Sequence, residues 1–291
     1  MNKYLKLSKN KFSEIGFKQP KTGGVNVEKR HQFSPLQLVD ILKKKDFREI
    51  ENLQVAKKGI GDFVTTADLN SEEILIKELQ KAHPTIAIIS EETKPNSNIN
   101  KNEKKFIIDP LDGTLNFLHG IPHYAISIAL MYKEEIISGI IYDPIKDELF
   151  WAEKGIGAFV NNTRIRVSGR NELKQALIAT GIPWKGMEEK HKNFIKILQN
   201  VMENCSGVRR FGAAALDLAY VASGRYDAFW EFGLKIWDIA AGSLLVKEAG
   251  GFIEDINEKE NFLYTGNIFA CNNSLNEEFK TRIIQISENA I

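Results

Sequence analysis

Apolar residues recur along this chain in two distinct rhythms, and the rhythm changes mark the elements. Phe194, Ile197, Leu198, Val201, Met202 and Cys205 are spaced by three and four, so residues 188–204 are expected to form an amphipathic helix with Cys205 on its apolar stripe. Residues 213–222 and 238–249 read as shorter apolar helices, and 68–82 as another that Pro84 stops. Ser34-Pro35 has the form of an N-cap followed by proline at the first helical position, opening a helix with Leu38, Ile41 and Leu42 on one face. Segments 85–90 and 106–108 are short buried strands. From 125 to 167 the pattern changes to strands at 125–132, 136–142, 148–153 and 158–160, with turn signals at Glu134-Glu135, Asp143-Pro144 and Asn161-Asn162. Adjacent strands with such short connections imply an antiparallel sheet. Further strands at 227–232 and 252–255 alternate with helices, so the expected class is α+β passing into α/β, with helices layered on sheets.

Composition narrows this picture only by exclusion. A chain of 291 residues, 43% hydrophobic and 26% charged, can bury one large core or two modest ones. A formal net charge of +1 provides no general attraction to nucleic acid or an acidic membrane. The longest apolar runs, such as 125–132, fall short of the ~20 residues that span a bilayer. Residues 1–19 alternate lysines with apolar residues and lack a signal core, and 20–24 are turn-rich. Cys205 and Cys271 read as two buried thiols rather than a disulfide framework. A cytoplasmic protein without direct membrane association is expected.

The chemistry concentrates in Asp109-Pro110-Leu111-Asp112-Gly113-Thr114. A buried strand ends in a carboxylate, and the proline is expected to stop the ladder. A second carboxylate follows within one turn, and Gly-Thr opens a helix. Pro110 and Gly113 bend the backbone enough for the two aspartates to converge, leaving the Leu111 carbonyl as a third oxygen donor. Backbone N–H groups of Gly113 and Thr114 at the helix start suit a phosphate. Three more acids belong to the argument: Glu91 after a neighbouring strand, Asp68 at the start of a helix, and Asp238 at the head of another. Each has an ordinary explanation, strand-end solvation for Glu91 and helix capping for the aspartates. Facing one crevice together they would repel, unless divalent cations lay between them. Oxygen donors without paired Cys or His favour magnesium over zinc. An Asp-x-Asp phosphatase of the haloacid dehalogenase type would need its aspartates two apart, unlike Asp109 and Asp112.

These segments resemble the inositol monophosphatase family. Its signatures D-P-[LI]-D-[GS]-[ST] and W-D-x-A-[AG]-G stand here as Asp109–Thr114 and Trp237-Asp238-Ile239-Ala240-Ala241-Gly242. The family's Glu-Glu is Glu91-Glu92, and its D-x-V-T-x-x-D element spans Asp62 to Asp68, with Lys57 upstream. Arg209-Arg210, Gly212 to Ala222 and Glu231-Phe232-Gly233-Leu234-Lys235 resemble most closely the bacterial members called extragenic suppressor proteins. Residues 1–31 have no obvious counterpart and are expected to be an extension of a phosphatase domain at 32–291; Leu115 replaces a second threonine.

The resemblance implies a layered α-β-α-β-α sandwich, commonly a homodimer, that hydrolyses inositol monophosphate with two or three Mg²⁺ ions. Glu91, Asp109 and the Leu111 carbonyl would hold one ion, and Asp109, Asp112 and Asp238 a second. Glu91 and Thr114 would activate water, with Asp68 in support. Asp112, Gly113, Thr114, Ala214, Glu231 and Asp238 would contact the substrate, Glu231 accepting hydrogen bonds from the polyol. Lithium sensitivity is implied as well. Relatives that act on nucleotide 3′-phosphates or other sugar phosphates leave the substrate open. The extragenic suppressor proteins add a different role, in transcription and ribosomal RNA maturation, with RNA polymerase or its factors as partners. Lys185, Lys190 and Lys192 could serve such contacts, but a solvated helix face is the favoured reading of them.

Overall fold

The computed structural model describes residues 55–59, 62–93, 103–183, 188–257 and 261–288. The helix expected from Ser34, the boundary near residue 31 and Lys185 lie outside them.

Strands β1 (Val55–Gly59) and β2 (Asp62–Thr65) pair as an antiparallel ribbon and lead into α1 (Thr66–Ala82), which starts two residues before the expected position. A seven-stranded sheet follows in sequence order: β3 (Ala87–Ser90), β4 (Lys104–Asp112), β5 (Ala125–Tyr132), β6 (Glu135–Asp143), β7 (Glu148–Glu153), β8 (Gly157–Val160) and β9 (Thr163–Ile165). Every pairing is antiparallel except β3 with β4. The β5–β6 connection is the two residues Lys133 and Glu134, both at positive φ (51° and 62°), the left-handed pair that matches strand twist in a tight hairpin. Glu134 is also tied to Lys105 at 2.8 Å.

Strand β4 corrects one expectation. Pro110 does not stop the strand; β4 runs on to Asp112, with a shift of register against β5 between Asp109 and Asp112. Proline has no N–H to give the ladder, so it is tolerated where a bulge interrupts the pairing, and the bulge re-aims the side chains beside it. Gly113 then sits at φ 93°, and the short α2 (Thr114–Leu118) begins.

The second sheet is five-stranded, in the order β11-β10-β12-β14-β13, from β10 (Leu177–Thr180), β11 (Gly207–Arg209), β12 (Ala228–Glu231), β13 (Gly251–Asp255) and β14 (Ile268–Asn272). Strand β10 is parallel to both β11 and β12, and the remaining pairs are antiparallel. Two helices, α4 (Ala214–Ala222) and α5 (Ile236–Glu248), are packed between the two sheets. Every residue of α4 is buried, as are Ile239 to Val246 of α5. On the far side of the five-stranded sheet, α3 (Glu188–Asn204) and α7 (Asn276–Glu288) pack together, and α1 packs against β4 of the other sheet. The helix α6 (Phe262–Thr265) caps the β13–β14 end. The architecture is therefore a layered α-β-α-β-α sandwich.

Phe194, Ile197 and Val201 of α3 bury their stripe against Trp230, Phe269 and Phe279, each side chain contributing ~1.5–3 kcal/mol of apolar burial. Cys205 departs from expectation: it lies one residue past the end of α3 and is half-buried, because the backbone turns there into β11. Cys271, in β14, is fully buried. No helix among the described residues is long and apolar enough to cross a membrane.

Candidate active site

The acidic residues converge because of strand direction. Strands β3 and β4 are parallel, with Ser90 beside Ile108, and Glu91 N–H donates to the Ile108 carbonyl at 3.2 Å. Glu91 and Asp109 therefore leave the same edge of the sheet side by side. Asp109, 1% exposed, is steadied by the Leu111 N–H on its Oδ1 at 2.9 Å. Asp112 Oδ2 accepts from the Ala215 N–H at 2.9 Å, so the same carboxylate closes the first turn of α4. Asp238 lies in the first turn of α5, and its Oδ2 accepts the Lys235 N–H at 2.6 Å. The capping role expected of Asp238 and its place in the cluster are thus compatible, since capping takes one oxygen. Asp238 and Asp109 are within hydrogen-bonding reach of each other.

Thr114 stands at the start of α2. Its hydroxyl can donate to Asp68 Oδ1 at 3.0 Å and to the Leu111 carbonyl at 3.1 Å. Gly113 allows this corner both by its positive φ and by its lack of a side chain. A Cβ there would lie 3.1 Å from the His123 carbonyl and 3.3 Å from that of Gly212. Ala214, buried, opens α4 beside Asp112's backbone partner. Glu231 ends β12, near enough to Asp238 to feel its charge.

Burial raises Asp109, Asp112, Asp238 and Glu231, and repulsion from neighbouring acids adds to it for Asp109, Asp112 and Glu231. Asp109 is raised well above the usual carboxylate range by burial, then by Glu91, Asp112 and Asp238, against the opposing pull of the Leu111 N–H. Burial and then Asp238 raise Asp112. Burial pushes Asp238 up to about 6, held down in part by the Lys235 N–H and ammonium. Glu231 is pushed up to about 8 by burial and by Asp238, with Arg210 working the other way. Among the described residues no three acidic, His or Cys side chains already converge on a single coordination point. Hard oxygen donors crowded until they resist ionisation nevertheless fit Mg²⁺, whose charge relieves the repulsion that burial amplifies.

The sequence profile of the inositol monophosphatase family matches residues 37–291. The chain belongs to the inositol monophosphatase family. It is 50% identical over 228 residues to the inositol-1-monophosphatase of Mesorhizobium japonicum, covering 78% of this chain and 85% of that one. It is 46% identical over 231 residues to the Nus factor SuhB of Pseudomonas aeruginosa, again 78% of this chain and 85% of the relative. The crystal structure of extragenic suppressor protein suhB from Bartonella henselae, 47% identical, superposes with a TM-score of 0.77 over 85% of this chain and 93% of that chain. This inositol monophosphatase family member is accordingly a phosphoric monoester hydrolase.

Beside Asp68, several residues that hold these segments in place were not singled out from sequence. Asp68, Ser71 and Glu72 occupy positions i, i+3 and i+4 of α1, and all three turn to the same side. Ser71 Oγ donates to the Pro110 carbonyl at 2.9 Å, pinning the bulge of β4. Glu72 accepts from the Thr93 N–H at 3.0 Å and its hydroxyl at 2.9 Å, pinning the loop that carries Glu91. That spacing of polar residues on a helix was the available signal. Asn116 ties α2 to two loops through Nδ2, which donates to the carbonyls of His123 and Phe211 at 2.7 Å each and approaches that of Gly212 at 3.3 Å. Asp217, 1% exposed on α4, has an oxygen without a hydrogen-bond partner, and nothing in its apolar sequence setting announced its burial.

Proposed function

We propose that the protein hydrolyses inositol monophosphate with Mg²⁺ held by Glu91, Asp109, the Leu111 carbonyl, Asp112 and Asp238. One observation carries this reading: Asp109, Asp112 and Asp238 each have an oxygen fastened to a backbone N–H at the meeting of strand and helix ends, where the charge of Asp238 adds to burial in raising both Asp109 and Asp112. Backbone anchoring holds charges together that would otherwise separate. Two or three bound ions would neutralise the cluster, lower the pKa of a water and take up charge developing on the phosphate. Thr114, oriented by Asp68 and the Leu111 carbonyl, offers its oxygen to the attacking water, and Glu91 takes the proton. The N–H groups of Gly113 and Thr114 bind phosphate oxygens, with Asp112, Ala214 and Asp238 around the departing alcohol. Glu231 accepts hydrogen bonds from ring hydroxyls. No covalent phosphoenzyme is required.

Distant proteins of the same fold, 23% identical, have been solved as an IMPase/NADP phosphatase complexed with Mg²⁺ and phosphate, and as a staphylococcal inositol monophosphatase in a LiCl-soaked inhibitory complex. By the same donor chemistry, lithium as a small hard cation should occupy the position near Asp112 and Asp238 and inhibit this enzyme. Assembly as a homodimer belongs to the same reading.

A panel of phosphate monoesters, including inositol 1-phosphate, nucleotide 3′-phosphates and sugar phosphates, assayed with and without magnesium, tests it. Preference for inositol phosphate and loss of turnover in chelator are expected. Full turnover in chelator refutes the metal site, and preference for a nucleotide refutes the substrate. The Nus factor name of the Pseudomonas relative supports a second reading, a binding role in transcription. If Asp109→Asn abolished hydrolysis and still supported the cell's ribosomal RNA synthesis, that second role would be favoured.

A further inference from the structure

We infer that Gly181 is a positioning residue for substrate selection, and that it acts by leaving room for the carboxylate of Glu231. Strands β10 and β12 are parallel neighbours, with Thr180 opposite Trp230, so the next residues beyond that pair are Gly181 and Glu231. The Thr180 hydroxyl lies 2.9 Å from the Trp230 carbonyl and 3.0 Å from that of Gly181, fastening the two strand ends together. Gly181 is buried and is not among the glycines at positive φ, unlike Gly113, Gly212 and Gly266. Its backbone is open to any L residue, so conformation does not account for glycine here.

Space does. A Cβ at position 181 would lie 1.8 Å from both Cδ and Oε1 of Glu231 and 2.2 Å from Oε2. The carboxylate therefore rests directly on the bare Cα of Gly181. To restore an ordinary contact of 3.4 Å from 1.8 Å, the carboxylate would have to move by about 1.6 Å. A hydrogen bond to a ligand hydroxyl does not survive that displacement. The atoms that must yield are the far end of a flexible side chain, so the disturbance falls on the position of Glu231 and not on the fold. By contrast, Gly266 carries no such freedom: a Cβ there would lie 1.9 Å from the Leu234 backbone carbonyl.

The inference rests on the reading of Glu231 as the acceptor for polyol hydroxyls, and the test separates the two. Gly181→Ala, Glu231→Ala and the double variant are assayed on inositol 1-phosphate and on p-nitrophenyl phosphate, which has no hydroxyls for Glu231 to bind. The quantity read is the ratio of the two kcat/KM values. At an assay pH of about 9, where the Glu231 carboxylate is ionised, each single variant should lower that ratio roughly 10- to 100-fold, chiefly through KM for inositol 1-phosphate, as expected for loss of a charged hydrogen bond. In the Glu231→Ala background, Gly181→Ala should add nothing further. An unchanged ratio in Gly181→Ala beside a fallen ratio in Glu231→Ala overturns the role of Gly181 alone. An unchanged ratio in Glu231→Ala overturns the polyol reading and this inference with it. Additive losses, or a Gly181→Ala protein that fails to fold, would place the clash on the backbone and also refute it.

Discussion

In the ion-free protein, replacing one of the proposed ligand carboxylates should strengthen the fold. Asp238 takes its proton at about 6 in the folded chain against 3.8 ordinarily, so between those values the folded state binds more protons than the unfolded one. Stability consequently falls as pH rises through that window. The difference of about two pKa units corresponds to ~3 kcal/mol lost above pH 6. Asp238→Asn removes the charge and keeps an oxygen for the Lys235 N–H. The variant should therefore be more stable than the parent by up to ~3 kcal/mol in chelator at pH 8, and nearly equal to it near pH 4. For a domain of this size that corresponds to a rise in Tm of roughly 6–12 °C. Thermal and urea unfolding in chelator at the two pH values measure it. In saturating Mg²⁺ the advantage should shrink or reverse, because the ion stabilises the parent more. A variant no more stable than the parent in chelator at pH 8 would show that burial does not hold Asp238 above its ordinary value, and would remove one physical ground for a cation site.

Other outcomes follow from the same geometry. Asp109→Asn should reduce turnover by at least ~10³, since this residue is assigned to both ions; a loss under tenfold in folded protein would contradict that. Asp68→Ala should lower kcat ~10- to 100-fold with little change in KM, because it frees the Thr114 hydroxyl. An altered KM with normal kcat would mean that Asp68 serves binding instead. Gly266→Ala should destabilise by more than ~3 kcal/mol, combining φ 69° with a backbone collision at Leu234, and soluble expression with unfolding midpoints would measure it.

The nearness of the candidate site's residues was legible in the sequence wherever they are neighbours in the chain. Asp109, Asp112, Gly113 and Thr114 are adjacent in the chain, so their convergence depends on local geometry that proline and glycine announce. Helix α3 and strands β5 and β7 match their expected bounds because each has one dominant apolar rhythm. What stayed hidden depends on partners far away in sequence. Pairing of β10 with β11 and β12 brings together segments dozens of residues apart, and β10 and β11 are too short to carry periodicity of their own. Ser71 and Glu72 looked like ordinary polar helix residues until β4 and the Glu91 loop were placed beside them. Pro110 was misread because a proline ends most ladders, whereas here the bulge at the strand's end accommodates it.

The small residues of the second signature explain how Asp238 reaches the others at all. Asp238 is a proposed metal ligand, but Ala241 and Gly242 determine its distance from the sheet. The bare Cα of Gly139 in β6 faces the backbone of Ala241, and a Cβ there would lie 2.9 Å from the Ala241 carbonyl and 3.0 Å from its Cα. On the opposite side, a Cβ on Gly242 would meet Leu218 of α4 at 2.6 Å. Helix α5 is thereby drawn in between β6 and α4, and Ser127 Oγ of β5 donates to the Trp237 carbonyl at 3.2 Å, one residue before Asp238. A larger residue at 139 or 242 would move the first turn of α5 as a rigid body, carrying one carboxylate away from Asp109 although no acidic residue is replaced. Loss of activity at these glycines without loss of any ligand would show that the family's signature encodes a spacing as well as a set of ligands.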